Sequence, residues 1–258
     1  MLLKAAINGG RSRSEHMAVP VSAAEQAAAV VECLRAGANA VHLHVRSSSI
    51  EESSPEKESL SAEDVARTLS AVQSVSPRAQ TGISTGAWIL PHPARLQAVA
   101  TWKVWPGFAS VNFGEDGAVE LAELLLSRGV EIEAGLCDAD AAKVLLKSGL
   151  TARCLRVLIE PQEQEMDQAV ESVSAIEKVL KSPAVELPSR LQILLHGTEA
   201  TSWPMMDEAI ARGYGVRIGL EDTLVMPDGR MARDNTELVM EALRRVAAGP
   251  EQSRSMNR

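Results

Sequence analysis

Aromatic residues are scarce in this chain, with two Phe, one Tyr and four Trp among 258 positions. The hydrophobic share is nevertheless 45%, so a core has to be assembled from Ala, Val, Leu and Ile. Cysteine is nearly absent. Cys33, Cys137 and Cys154 follow no metal-binding spacing, and an odd count with no framework reads as free thiols in a reducing compartment. Long apolar runs are missing, so no membrane span is expected. The opening residues 2–7 run straight into Asn8-Gly9-Gly10 and are too short for a secretory leader. These absences lead us to expect a cytoplasmic protein. Positive charge is in deficit, with 26 Lys and Arg against 34 Asp and Glu, a net charge of −8. No basic stripe exists to neutralise phosphates, which argues against nucleic acid or an anionic membrane as partner.

What the chain does contain is alternation. Short apolar stretches at residues 2–7, 41–46, 80–85, 109–114, 130–136, 154–160, 191–196 and 214–220 read as strands. Amphipathic stretches follow at 22–35, from 61, and at 93–101, 118–128, 138–149, 166–180, 204–212 and 235–248. Ser22 with Glu25 predicts a capping box, and Asp138 predicts an N-cap. Gly37, Gly149 and Gly213 sit where helices should stop. Eight strand–helix units in strict alternation within about 250 residues predict a single closed α/β barrel of the (β/α)8 TIM type over residues 1–258. The competing open sheet would want a Gly-x-Gly-x-x-Gly turn after its first strand, and Gly9-Gly10 does not supply one. Residues 47–59 are rich in Ser and Glu and read as a solvated loop after the second strand.

The chemistry concentrates in Val41-His42-Leu43-His44-Val45-Arg46. Side chains alternate along a strand, so His42, His44 and Arg46 share one face while Val41, Leu43 and Val45 share the apolar one. Two imidazoles on one strand face suit zinc or a neighbouring metal, which then needs a third ligand from elsewhere. The bland alternative is a pair of satisfied core histidines. The active sites of such barrels lie at the C-terminal ends of the strands. On the last strand Val216, Ile218 and Leu220 face the helices, so Arg217, Gly219 and Glu221 face inward. Strands eight and two both flank strand one, which makes Glu221 the natural third ligand. Its rivals are Glu133 on strand five and His196 at the end of strand seven. Ser84, at the end of strand three, faces inward by the same parity.

Three segments together resemble the β-keto acid cleavage enzymes, the family that includes the 3-keto-5-aminohexanoate cleavage enzyme. They are Ala38-Asn39-Ala40-Val41-His42-Leu43-His44-Val45-Arg46, then Ile83-Ser84-Thr85-Gly86, then Val216-Arg217-Ile218-Gly219-Leu220-Glu221-Asp222. The helix entry at 20–25 and Asn235-Thr236-Glu237-Leu238-Val239 are similar as well. The resemblance implies a zinc-dependent (β/α)8 barrel, usually a homo-oligomer, that condenses a β-keto acid with acetyl-CoA to give acetoacetate and a new acyl-CoA. It implies that His42, His44 and Glu221 hold Zn2+, that Asp222 is the base oriented by Arg217, and that Ser84 contacts substrate. Members acting on amino-bearing keto acids carry a Glu just after the first strand, where this chain has Arg11. We therefore expect Arg11 to read an anionic or neutral polar tail, with Arg46 as a second substrate-facing cation. Two alternatives remain on the same residues: a metal-dependent hydrolase or aldolase, or a non-catalytic protein that binds a keto acid.

Overall fold

The computed structural model describes residues 1–48, 57–183 and 187–255. The elements alternate as the sequence requires: β1 (Leu3–Ala6), α1 (Ala23–Arg35), β2 (Ala40–Leu43), α2 (Ala62–Val75), β3 (Thr81–Ser84), α3 (Ala94–Ala100), β4 (Phe108–Asn112), α4 (Ala118–Ser127), β5 (Glu131–Leu136), α5 (Ala139–Ser148), β6 (Cys154–Ile159), α6 (Met166–Leu180), β7 (Gln192–Leu195), α7 (Ser202–Arg212), β8 (Gly215–Ile218) and α8 (Asn235–Ser255). All strands are parallel, each pairs with the next, and β8 closes on β1. The result is the expected closed (β/α)8 barrel.

Local signals fix the helix ends. Ser22 and Glu25 form the reciprocal capping box of α1. Ser61 and Asp138 cap α2 and α5 through their side chains. Gly149 and Gly213 close α5 and α7 in the left-handed conformation. Helix α7 starts two residues earlier than Pro204 suggests. That proline sits in the first turn, where its missing N–H would have had no intrahelical partner. Residues 49–56 of the Ser/Glu-rich segment lie outside the described residues. The end of that segment is not simply solvated: Glu58 forms an antiparallel bridge with Arg46, and Ser59 donates to Asp64.

Strand parity sorts the barrel into two shells. Ala5, Val41, Leu43, Ile83, Val111, Ile132, Val157, Leu195, Val216 and Ile218 face the helices within one apolar cluster. The opposite parity fills the barrel interior, and its lower part is charged. Lys4 and Arg156 both pair with Glu133, and all three side chains are fully buried. The Arg156 guanidinium also lies 4.5 Å from the centroid of the Phe108 ring. Gly82 leaves the space that this ring occupies, because a Cβ there would overlap it. With so few aromatics, one Phe and three paired charges plug the base of the barrel. Every polar residue above them is left to the mouth.

Candidate metal centre and active site

The mouth is built from the residues that follow each strand. His42 lies inside β2 and His44 one residue beyond it; Glu221 follows β8 by three residues. The register brings them together: β1 pairs with β2 on one side and β8 on the other. His44 Nε2 stands 3.3 Å from one Glu221 oxygen, and His42 Nε2 stands 3.7 Å from the other. One ligand atom from each of the three lies within 4.8 Å of the others. Two donors on a tetrahedral zinc, at bonds of about 2.0–2.1 Å, stand roughly 3.4 Å apart. The spacing therefore fits the ion.

Each histidine is also oriented. The Ser110 hydroxyl donates to Glu133 at 2.8 Å and lies 3.3 Å from His42 Nδ1, so it accepts from that nitrogen. Lys4 and Arg156 keep Glu133 ionised against the cost of its burial, well below the usual carboxylate range. Glu58 accepts from His44 Nδ1. Both Nδ1 atoms are thus engaged, which leaves both Nε2 atoms facing the Glu221 carboxylate. Glu221 Oε2 is buried and has no hydrogen-bond partner among the described residues. Burial works against charge on Glu221, but Arg217, His44 and His42 outweigh it and hold the carboxylate ionised. Burial pushes His42 well below its ordinary value. Burial acts the same way on His44, yet Glu221 and Glu58 overcome it and raise that ring to about 9. These are features of a cation site: an ionised carboxylate with a bare buried oxygen beside two oriented imidazoles.

The walls of the site are tied in place by backbone clamps. Asn8 donates to His44 O at 2.9 Å and accepts from His44 N at 2.8 Å, locking the ends of β1 and β2 together. Asn235, the first residue of α8, bridges Ile7 O and Leu220 N, each at 2.8 Å. Gly9 has φ 50 and lies against Glu221, where a side chain would collide with the carboxylate stem.

Arg217, on β8, grips Asp222 with two nitrogens. Its Nε lies 3.1 and 3.2 Å from the two carboxylate oxygens and one terminal nitrogen 2.7 Å from Oδ1. The same terminal nitrogen donates to Glu221. Burial acts against the Arg217 charge, but Asp222 and Glu221 outweigh it. Ser84 is buried at the end of β3, its hydroxyl 3.4 Å from Gly86 N. Arg46 donates to the carbonyls of Gly9 and Arg11, so it supports the loop after β1. Arg11 is in salt bridges with Glu15 and Glu199. Of the rival ligands, Glu133 lies below the site with its two cations, and His196 stands between Asp222 and Glu160, 3.5 Å from each. Neither joins the trio.

Sequence reasoning missed Glu58, Trp88, Ser110 and Glu160. The Ser and Glu around Glu58 read as a solvated loop. Glu58 hydrogen-bonds both His44 and the Trp88 indole, whose Nε1 lies 2.9 Å from Glu58 Oε2. The Trp88 ring stacks on His44 with centroids 6.1 Å apart. Gly86 makes room for it. The only sequence signal was parity: Ser110 and Glu160 are in phase with inward-facing residues of their strands.

Fold and site together define a (β/α)8 barrel with a candidate three-ligand metal centre at its C-terminal mouth. Residues 1–253 match the family described as BKACE, beta-keto acid cleavage enzyme. The chain belongs to that enzyme family, as the three sequence segments suggest. It is 26% identical over 278 residues to the 3-keto-5-aminohexanoate cleavage enzyme of Fusobacterium nucleatum subsp. nucleatum, an alignment spanning 99% of this chain and 97% of the relative. The 3-keto-5-aminohexanoate cleavage enzyme of Acetoanaerobium sticklandii is 26% identical over 281 residues, with the same coverage. Among solved structures, the ternary complex of ObcA with C4-CoA adduct and oxalate superposes with a TM-score of 0.66 at 17% identity. It covers 93% of this chain and 67% of that one, and the likeness is one of fold.

Proposed function

We propose that this chain is a zinc-dependent β-keto acid cleavage enzyme that condenses a β-keto acid with acetyl-CoA, yielding acetoacetate and a new acyl-CoA. The observation that carries the reading is the placement of Asp222 beside Glu221, with both carboxylates gripped by the Arg217 guanidinium. A base belongs next to the group that polarises its substrate. His42, His44 and Glu221 would hold the ion, which as a Lewis acid eases loss of the α-proton. Asp222 takes that proton. Arg217 keeps the base aimed through its contacts to both Asp222 oxygens, and Ser84 offers a hydroxyl from β3 to the bound acid. The α-carbon of the keto acid then bonds to the acetyl carbonyl carbon. The CoA thiolate passes to the carbonyl carbon of the original keto group. Cleavage of the bond between that carbon and the α-carbon leaves the tail as an acyl-CoA, and Asp222 returns its proton to the α-carbon to release acetoacetate.

Supplying zinc-loaded protein with acetyl-CoA and a panel of β-keto acids tests the reading, with acetoacetate and acyl-CoA both quantified. Equal amounts of the two products are expected. Consumption of the keto acid without acyl-CoA would transfer the site to a metal-dependent hydrolase or aldolase. Tight binding without turnover would make the chain a keto-acid-binding protein.

A further inference from the structure

The metal trio, Arg217 and Asp222 occupy one side of the mouth, on β2 and β8 or just beyond them. A keto acid held there would have the ends of β4 to β7 across the mouth for its tail. Three side chains meet on that side, and all of them accept hydrogen bonds. Glu160 follows β6 directly and is in phase with inward-facing Arg156. It has no Lys or Arg partner among the described residues, and its carboxylate is 16% exposed. His196 follows β7 directly and is buried. Its Nδ1 lies 3.2 Å from Gly197 O, which can only accept, so Nδ1 carries the proton. Nε2 is then a bare acceptor, buried and without a hydrogen-bond partner among the described residues. It faces Glu160 Oε2 at 3.5 Å. On β4, Asn112 gives its amide nitrogen to Glu115 at 3.0 Å, which turns its oxygen the other way. That oxygen and Glu160 Oε1 each lie 2.5 Å from where a Gly135 Cβ would stand, so the glycine keeps this corner open.

A buried acceptor without a donor, as His196 Nε2 is, is costly unless something supplies a hydrogen to it, and the half-buried Glu160 and Asn112 oxygens open beside it. Resting on the proposed β-keto acid chemistry, we infer that Glu160, His196 and Asn112 form the tail-reading subsite, and that it selects a tail that donates hydrogen bonds, a hydroxyl or an ammonium. Arg11 is then not the tail reader, because Glu15 and Glu199 already engage its two terminal nitrogens and neutralise its charge. Burial raises the Glu160 carboxyl to about 7, even though the charges of Arg217 and Lys4 act to lower it.

The test uses zinc-loaded protein and four 3-oxo acids of equal length whose tails end in methyl, hydroxyl, ammonium or carboxylate. Dissociation constants from calorimetry give the ranking whether or not turnover occurs. Turnover with acetyl-CoA is measured separately and bears on the underlying reaction alone. We expect hydroxyl or ammonium tails to bind at least ~10-fold tighter than methyl, since a site with buried acceptors discriminates against a ligand that leaves them unpaired. The hydroxyl and ammonium arms tell a neutral donor from a cationic one. Measured above pH 7, where the Glu160 carboxylate is charged, Glu160→Gln should reduce the donor-over-methyl ratio by about 10-fold or more, a loss of the size expected for a hydrogen bond to a charged group. Asn112→Ala provides a second variant should the first fail to fold. A parent that prefers methyl or carboxylate tails would overturn the inference. So would a donor preference that survives both variants but collapses in Arg11→Ala.

Discussion

Asp222 and Glu58 are both carboxylates at the mouth, and their substitution should separate chemistry from metal binding. Asp222→Asn removes the proposed base while keeping its shape. We expect turnover to fall by about 10²–10⁴ with zinc content unchanged, the range for loss of a general base. Elemental analysis beside the rate measurement checks it, and near-parental turnover would take Asp222 out of the mechanism. Glu58→Gln leaves the reacting groups alone and replaces the carboxylate that accepts from His44 Nδ1. Partners of this kind contribute about 10–100-fold to metal affinity. Zinc competition against a chelator should show a loss in that range, and affinity within twofold of the parent would reduce Glu58 to a surface residue. Neither Glu58 nor its role could be read from sequence. A bridge between Arg46 and Glu58 depends on the chain returning across a Ser/Glu-rich segment whose composition carries no periodicity. His42, His44 and Glu221 were legible because a period of two and the adjacency of β1 to both β2 and β8 suffice to bring them together.

At the scale of single elements, β8 carries the most. It contributes Arg217 and leads directly into Glu221 and Asp222, and it closes the barrel against β1. Gly219, just past its end, packs so closely on Ala6 that a Cβ would overlap the Ala6 carbonyl oxygen. Gly219→Ala should force β1 and β8 apart, costing about 1–3 kcal/mol as overpacking does, and should displace Glu221 two residues on. Thermal melting and zinc titration of the same preparation should therefore both worsen. A variant as stable and as zinc-competent as the parent would show that the seam yields without harm. Strand and helix order was legible because each element announces itself locally, through caps, glycine stops and periodicity. The packing at this seam was not. It arises from pairing two segments more than two hundred residues apart.

The molecule as a whole buries more charge than a barrel of apolar layers would, and stability must follow pH accordingly. Glu160 is the clearest case, raised by burial from an ordinary 4.5 to about 7. Its folded-state value lies above its unfolded one, so the native chain binds more protons between those values. Its contribution to stability is full below about pH 4.5 and is lost as pH rises through 7. His196, lowered by burial to about 4, acts oppositely: its contribution is present above 6.5 and lost as pH falls towards 4. Comparing chelator-treated parent with Glu160→Gln isolates the first effect. The variant's relative stability should rise between pH 4.5 and 7 by on the order of 2 kcal/mol and then level off. A pH-independent difference would mean that Glu160 titrates normally. The charged base of Lys4, Glu133 and Arg156 was not foreseen as a unit. Sequence placed Glu133 only as a rival ligand, because a strand pattern says which way a side chain points and not which partners meet it inside a closed barrel.

The stacking of Trp88 on His44 turns a packing detail into an optical handle. Trp102 and Trp203 are buried and Trp105 packs on Trp102, whereas Trp88 is 58% exposed and stacks on His44, so its indole emission is the one most open to change at the mouth. Without an ion, the ring beside it is held protonated by Glu221 and Glu58. A bound ion requires that ring to be neutral, so filling the centre expels a proton from against the indole. Zinc added to chelator-stripped protein should therefore change the intrinsic fluorescence in proportion to occupancy, and Trp88→Phe should abolish the response. An unchanged spectrum at full occupancy would refute the link. A proportional one would allow metal loading to be followed in real time, on the unlabelled chain.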